Sequence, residues 1–256
     1  MELKIYDKSF EAFKGFVNIV KTIVEEANLR ISEDGIRVNT MDPSHVAMID
    51  TTAKPGLFDA YTSDEKEEPI CFNVKDLGKF LDRMDKKEQI TIKTNREKAK
   101  MMIQGRKGGL TRRFEITLLE PMEEEVPAPK ITFKSKTRIL TSRFERAIKD
   151  ADLVSEHIAF KAEKDGEFSM SAKGELGSAL SSWEKGSDEV LQMDTEEDSS
   201  ATYTLNYLKD FMSALKPVAD VLNVEFSDDM PLMLTAECSS TNLEAAYFLA
   251  PCIGMT

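Results

Sequence analysis

The sequence predicts an α+β protein of two topologically similar domains, each with two helices on antiparallel sheets. Three observations predict it. First, the stretch Leu119-Glu120-Pro121-Met122-Glu123-Glu124-Glu125-Val126-Pro127-Ala128-Pro129-Lys130 holds three prolines and four glutamates near mid-chain. That reads as an extended, solvated connector, because proline breaks both helix and central strand. Second, short runs of period two alternate with two helical patterns in each half. Third, the halves match at a constant offset of 131 positions. The expected organisation is therefore an N-terminal domain over 1–118, a connector over 119–130 and a C-terminal domain over 131–256.

Composition bounds the class. With 256 residues, 41% of them hydrophobic, the chain is long enough for two cores and is not a disordered polymer. A net charge of -12 argues against a surface that is basic all over, while leaving room for a local basic face. Cys71, Cys238 and Cys252 are far apart and show no metal-ligand spacing, the pattern of free thiols in a reducing compartment. No run of ~18 apolar residues offers a membrane span. The expectation is an intracellular, soluble protein without membrane attachment.

Taken in order, Phe10, Phe13, Val17, Val20 and Val24 recur at helical steps, with Ser9 as the expected N-cap. Strands are expected at Leu29–Ile31, at Ile36–Thr40 beyond an Asp34-Gly35 turn, at Val46–Met48 after Asp42-Pro43, and at Ile70–Phe72. A second helix runs from about Val74 to Met84 on the apolar face Leu77, Phe80, Leu81, Met84. Strands at Ile90–Ile92, Met101–Ile103 and Phe114–Leu118 close the half, with turns at Gly105 and Gly108-Gly109.

The order then returns. Phe13 and Val17 correspond to Phe144 and Ile148, Asp34-Gly35 to Asp165-Gly166, and Leu77 and Phe80 to Leu208 and Phe211. Unrelated domains would drift in register at their loops, so the constant offset points to an internal duplication, each copy with two helices and roughly eight or nine strands. The third helix is expected over about Thr141 to Ala151 and the fourth over Leu205 to Lys216.

Ten basic residues fall on these four helices away from the apolar faces: Lys14, Lys21, Lys75, Lys79, Arg83, Arg143, Arg146, Lys149, Lys209 and Lys216. In an acidic chain that is a segregation of charge, as a groove for a polyanion requires. Glu11, Asp82, Glu145 and Asp210 on the same helices fit the alternative of ordinary solvated faces. Nothing in the sequence assembles a catalytic constellation. His45 and His157 are isolated, Arg106-Lys107-Gly108-Gly109 lacks the rest of a phosphate loop, and no nucleophile elbow or dinucleotide fingerprint occurs. The expectation is a protein that is not an enzyme, with no cofactor and no metal.

Several runs resemble the sliding clamps of the proliferating cell nuclear antigen family, in their archaeal and eukaryotic form. These are Ile31-Ser32-Glu33-Asp34-Gly35-Ile36, Met41-Asp42-Pro43-Ser44-His45-Val46, Val74-Lys75-Asp76-Leu77, Lys173-Gly174-Glu175-Leu176-Gly177 and Phe248-Leu249-Ala250-Pro251. The resemblance implies the DNA clamp fold and a closed homotrimeric ring around duplex DNA, bound without sequence specificity through the ten basic residues. It implies a subunit interface between strands near Gly109 to Leu118 and Glu175 to Trp183, with Phe114, Leu176 and Leu180 as apolar contacts. It also implies a docking pocket for a Q-x-x-aliphatic-x-x-aromatic-aromatic motif, at Met41, His45, Val46, Met48, Val126, Ala128, Pro231, Phe248, Leu249, Ala250 and Pro251. Implied partners are replicative DNA polymerase, the clamp loader, flap endonuclease and DNA ligase, met in the cytoplasm of an archaeon or the nucleus of a eukaryote. The alternatives are a subunit of a heterotrimeric or checkpoint-type clamp and, from another class, a two-domain enzyme or small-ligand binder.

Overall fold

The computed structural model describes residues 1–63, 69–122, 126, 127, 129–238 and 241–254, with Glu237 described in its backbone only. Among these residues each half holds two helices and nine strands. In the N-terminal half, strands β1 (Glu2–Ile5), β5 (Ala60–Thr62), β7 (Gln89–Asn95), β8 (Lys100–Lys107) and β9 (Leu110–Thr117) pair in the order β5-β1-β7-β8-β9. Strands β2 (Glu26–Ser32), β3 (Gly35–Met41), β4 (Ala47–Ala53) and β6 (Ile70–Asn73) pair in the order β4-β3-β2-β6.

The C-terminal half repeats both orders. Strands β10 (Ser135–Leu140), β14 (Val190–Thr195), β16 (Val221–Phe226), β17 (Leu232–Cys238) and β18 (Leu243–Leu249) run β14-β10-β16-β17-β18. Strands β11 (His157–Ala162), β12 (Glu167–Gly174), β13 (Gly177–Glu184) and β15 (Ser199–Thr204) run β13-β12-β11-β15. The expected α+β class and the duplication are both met, element by element.

The helices are α1 (Lys8–Lys21), α2 (Val74–Asp82), α3 (Thr141–Asp152) and α4 (Leu205–Leu215). Helix α1 buries Phe10, Phe13, Phe16, Val17, Ile19 and Val20, so water meets it only along a narrow polar stripe. Helix α3 buries Phe144, Ala147, Ile148 and Ala151, and Phe144 meets Phe160 edge-on at 5.8 Å. Such aromatic pairs add to the area they remove from water.

Three local expectations are corrected. Ser9 does not cap α1: the helix already begins at Lys8, and Asp7 occupies the cap position at φ 52. Asn73 is the residue that caps a helix with its side chain, accepting the Asp76 amide at 3.0 Å at the start of α2. Gly105 is not a turn but lies within β8, opposite Ile90. A Cβ there would press on the Glu88 carboxylate and the Met84 sulfur, side-chain ends that would have to shift, so the glycine marks a close approach and not a chain reversal. The strand expected at Val46–Met48 begins one residue later and extends to Ala53.

The chain packs as two compact units. Unit 1 comprises Met1–Pro43, Ile49–Ala128 and Cys238–Ala245; unit 2 comprises Ser44–Met48, Pro129–Glu237 and Ala246–Thr256. Within unit 1 the Thr51 hydroxyl donates to the Glu244 carbonyl (2.8 Å) and the Lys54 amide to Asn242 (2.9 Å). Within unit 2 the Ala250 amide donates to the Val46 carbonyl at 2.8 Å.

Candidate functional site

In each unit the two helices carry the basic residues singled out in the sequence, and none of the ten side chains is buried. Most are matched by acids. In unit 1, Lys14 on α1 bonds Asp82 at the end of α2 (2.8 Å), Lys75 pairs with Glu25, and Lys79 with Asp76 (2.8 Å). Hydrogen bonds from Lys75 hold Glu25 below the usual carboxylate range, and Asp76 raises Lys79. Lys21 donates to Asn18 at 3.2 Å and lies across Gly78, where a Cβ would stand 2.8 Å from its Nζ.

In unit 2, Glu145 on α3 is nearly buried and accepts from Lys149 of its own helix (2.8 Å) and from Lys216 beyond α4 (2.5 Å). Burial pushes its carboxyl up, but the two lysine hydrogen bonds outweigh that and hold it below the ordinary value. Asp152 at the end of α3 receives Lys209 of α4 at 2.7 Å. Arg146 stands 3.9 Å from Asp150, and Arg143 pairs with Glu189 at 2.8 Å. Glu189 also accepts the Trp183 indole N–H at 3.0 Å, tying the start of α3 to β13. Sequence spacing located the cations; it did not show that their carboxylate neighbours bond them across helices.

The strands expected at a subunit interface are edge strands in their own sheets: β9 ends the five-stranded sheet beside β8, and β13 ends its sheet beside β12. Phe114 projects to the helix side of β9, stacked on Phe80 of α2 with centroids 4.9 Å apart. On β13 the helix side carries Ala179, Ser181 and Trp183, whose ring stacks on Phe168. Leu180 projects to the opposite face and is 70% exposed; Leu176, at the hairpin tip, is 87% exposed. Leu110 and Leu153, at 60% and 72%, are exposed apolar residues that the sequence reading did not include. Leu110 keeps the alternation of its strand, whereas Leu153 falls on the face of Arg146 and Lys149, opposite Phe144, so its break with the helical periodicity was the available signal.

Of the pocket residues, His45, Val46, Met48, Pro231, Phe248, Leu249, Ala250 and Pro251 belong to unit 2, whereas Met41 and Val126 belong to unit 1. Ala128, like Glu123, Glu124 and Glu125, lies outside the described residues. Met48 and Leu249 are core residues and Phe248 is nearly so; Val46, Pro231, Ala250 and Pro251 are half-buried, and His45 is exposed at φ 56. Ile253, just beyond Pro251, is 71% exposed. The start of the connector lies on unit 1: the Leu119 amide donates to the Cys71 carbonyl (2.8 Å), and the side chain of Asn28 bonds the backbone of Met122. Burial pushes the Cys71 thiol up, so it stays protonated. Among the described residues no cluster of His, Cys, Asp and Glu could hold a metal ion, and no helix is long and apolar enough to cross a membrane.

Comparison with known proteins places this geometry. Residues 1–124 match the family model described as proliferating cell nuclear antigen, N-terminal domain, and residues 127–252 match that of its C-terminal domain. The DNA polymerase sliding clamp of Thermofilum pendens is 31% identical over 241 residues, 93% of this chain and 94% of the relative. That of Pyrococcus abyssi is 32% identical over 88% of this chain and 90% of the relative. The crystal structure of PCNA from Thermococcus kodakaraensis superimposes with a TM-score of 0.87 at 23% identity, covering 98% of this chain and 99% of that one. One chain of the PCNA2-PCNA3 complex from Sulfolobus tokodaii gives 0.86 at 25% identity, with the same coverage.

Proposed function

Because the chain belongs to the proliferating cell nuclear antigen family, we infer that it is a sliding clamp, holding DNA polymerase to duplex DNA as a processivity factor. The observation that carries this reading is the complete repetition of strand order and helix pair in two halves, over a length shared with sliding clamps. Repeated halves joined head to tail give quasi-equivalent helices around an axis and leave open strand edges only where subunits meet.

The proposed ring contains three copies joined β9 to β13. Phe114 with Phe80 is bulky and meets the small Ala179 and Ser181 on the helix side, while Leu180 packs on the other face of the joined sheet. Bulk on one edge and small residues on the other favour head-to-tail joining over self-pairing of like edges. Basic side chains of the four helices then meet phosphates without reading bases, so the clamp stays on by topology and slides. Partner motifs from polymerase, clamp loader, flap endonuclease or ligase dock on the unit 2 surface around His45, Val46, Pro231, Ala250 and Pro251.

Sedimentation of the pure chain, followed by polymerase processivity on primed circular DNA, tests the proposal. A trimer that lengthens products supports it, and Phe114→Asp with Leu180→Asp should yield monomers that do not. A chain that forms a ring only with a different subunit would favour a mixed clamp, the arrangement suggested by its likeness to a chain of the two-component Sulfolobus tokodaii complex. A monomer with no effect on any polymerase would overturn the clamp reading.

A further inference from the structure

At one end of the five-stranded sheet of unit 1 the chain gathers cations that lie off the helices. Gln89, which opens β7, is paired with Arg106 near the end of β8, and Lys86 and Lys87 come just before β7. Tyr6 follows Ile5, the last residue of β1, which is paired with Ile90. The Asp7 amide donates to the Lys86 carbonyl at 2.9 Å, holding Tyr6 at the same end of the sheet. Lys86, Lys87, Arg106 and Lys107 are exposed, and the large ring of Tyr6 is 47% exposed. Neighbouring strands lie about 4.8 Å apart, so Arg106, two strands from β1, stands about 10 Å from the chain at Tyr6.

These charges differ in condition from those on the helices. Among the described residues the side chains of Lys86, Lys87 and Arg106 have no acidic partner, whereas most helix cations are matched by carboxylates. Asp85 is occupied by Lys107 at 2.7 Å, and hydrogen bonds from that lysine and from the Lys87 amide hold its carboxyl below the ordinary range. Glu88 is buried and taken by Arg112, and Asp7 is followed directly by Lys8. The fold does not require the unpaired cations: at the same positions of the repeat, Lys86, Lys87 and Arg106 are replaced by Pro217, Val218 and Glu237.

We propose that this end of unit 1 is a contact site for single-stranded nucleic acid, with Lys86, Lys87 and Arg106 on phosphates and the Tyr6 ring stacked on a base. The site goes beyond the clamp reading, since it lies off the helix faces and needs neither a closed ring nor a second subunit. Cations with no carboxylate to give up meet phosphate without losing an ion pair, and each contact releases condensed counterions. An exposed aromatic ring beside them suits unpaired bases, whose faces are open, and not a duplex, whose bases are stacked inside. An acidic peptide would use the cations and leave Tyr6 idle.

The test titrates the full chain with a fluorescently labelled oligothymidylate over a range of salt, with sedimentation and duplex binding measured alongside. One variant combines Lys86→Gln, Lys87→Gln and Arg106→Gln; the other is Tyr6→Ala. The triple variant should lower the log–log salt slope by up to about 2, and Tyr6→Ala should weaken oligothymidylate binding about ten-fold. Both should sediment and bind duplex as the wild type does. Oligothymidylate binding that is absent in the wild type, or unchanged in either variant, overturns the site. An equal loss of duplex affinity in the triple variant would assign these cations to the duplex and overturn it too. Polyglutamate is the acidic-peptide probe: if it binds as tightly as the oligonucleotide and is lost in the triple variant, the surface takes acidic protein and the proposal falls. A wild type that binds oligothymidylate but not duplex supports this site and sinks the helix contacts of the ring.

Discussion

The two helix pairs bury equivalent apolar faces yet solve their polar sides with opposite polarity. In unit 1 the cation is on the first helix and the acid follows on the second: Lys14 reaches Asp82. In unit 2 the acids are on the first helix and the cations on or just after the second: Glu145 receives Lys216 and Asp152 receives Lys209. Lys14 and Glu145 occupy the same position of the repeat, as do Lys21 and Asp152, and Gly78 and Lys209. Where unit 1 has Gly78, the stem of Lys21 lies across the helix; where unit 2 has Lys209, that residue reaches back to Asp152. A bridge between helices is present in both units with its charges exchanged, but its second residue differs in repeat position, since Asp82 corresponds to Ser213 and Lys216 to Asp85.

The comparison can be broken at its apolar base first. Phe13 and Phe144 are repeat-equivalent and both buried, so each substitution to alanine should cost about 3–5 kcal/mol in denaturant unfolding. A near-neutral result at one of them would show that the helix faces are not equivalent. Next comes charge. Glu145→Gln releases two lysines, whereas Asp82→Asn releases one. Salt titration of duplex binding should therefore steepen by up to about 2 in log–log slope for the first and about 1 for the second. Equal slopes would mean that these lysines do not meet phosphate.

The polarity argument itself is sharpened by reversal. Glu145→Lys alone should lower the melting temperature, and adding Lys216→Glu should recover most of the loss, since the pair then resembles that of unit 1. The smallest effect is with pH. The Glu145 carboxyl is held below its ordinary 4.5, so its stabilisation is present above that range and is lost as the pH falls through its lower folded-state value. The melting difference between wild type and Glu145→Gln should accordingly shrink on acidification, and a difference that grew instead would contradict the assigned direction.

Much of the fold is readable from periodicity alone. The four helices, their apolar faces and most strands follow from spacing, and the 131-residue offset carries over to every paired element. Local capping was less legible: Ser9 has the right chemistry but stands inside the helix, while Asn73 works because β6 delivers it in an extended conformation. Gly105 looked like punctuation, and its reason lies in Glu88 and Met84, residues that reach it only through folding. Among the candidate site residues, the ten cations were legible as types and positions, but their acidic partners at Asp82, Glu25, Asp152 and Glu189 come from other elements.

The sequence by itself determined that this is a duplicated α+β chain with basic residues on four helices. Those features depend on periodicity, composition and spacing, which are local or repeat with the chain. Tertiary structure alone decided which cations are shared with carboxylates, that Phe114 and Leu180 project to opposite faces of their sheets, and that Asn28 receives Met122 from 94 residues away. Such pairings depend on where distant backbones meet, and no short-range pattern carries that information.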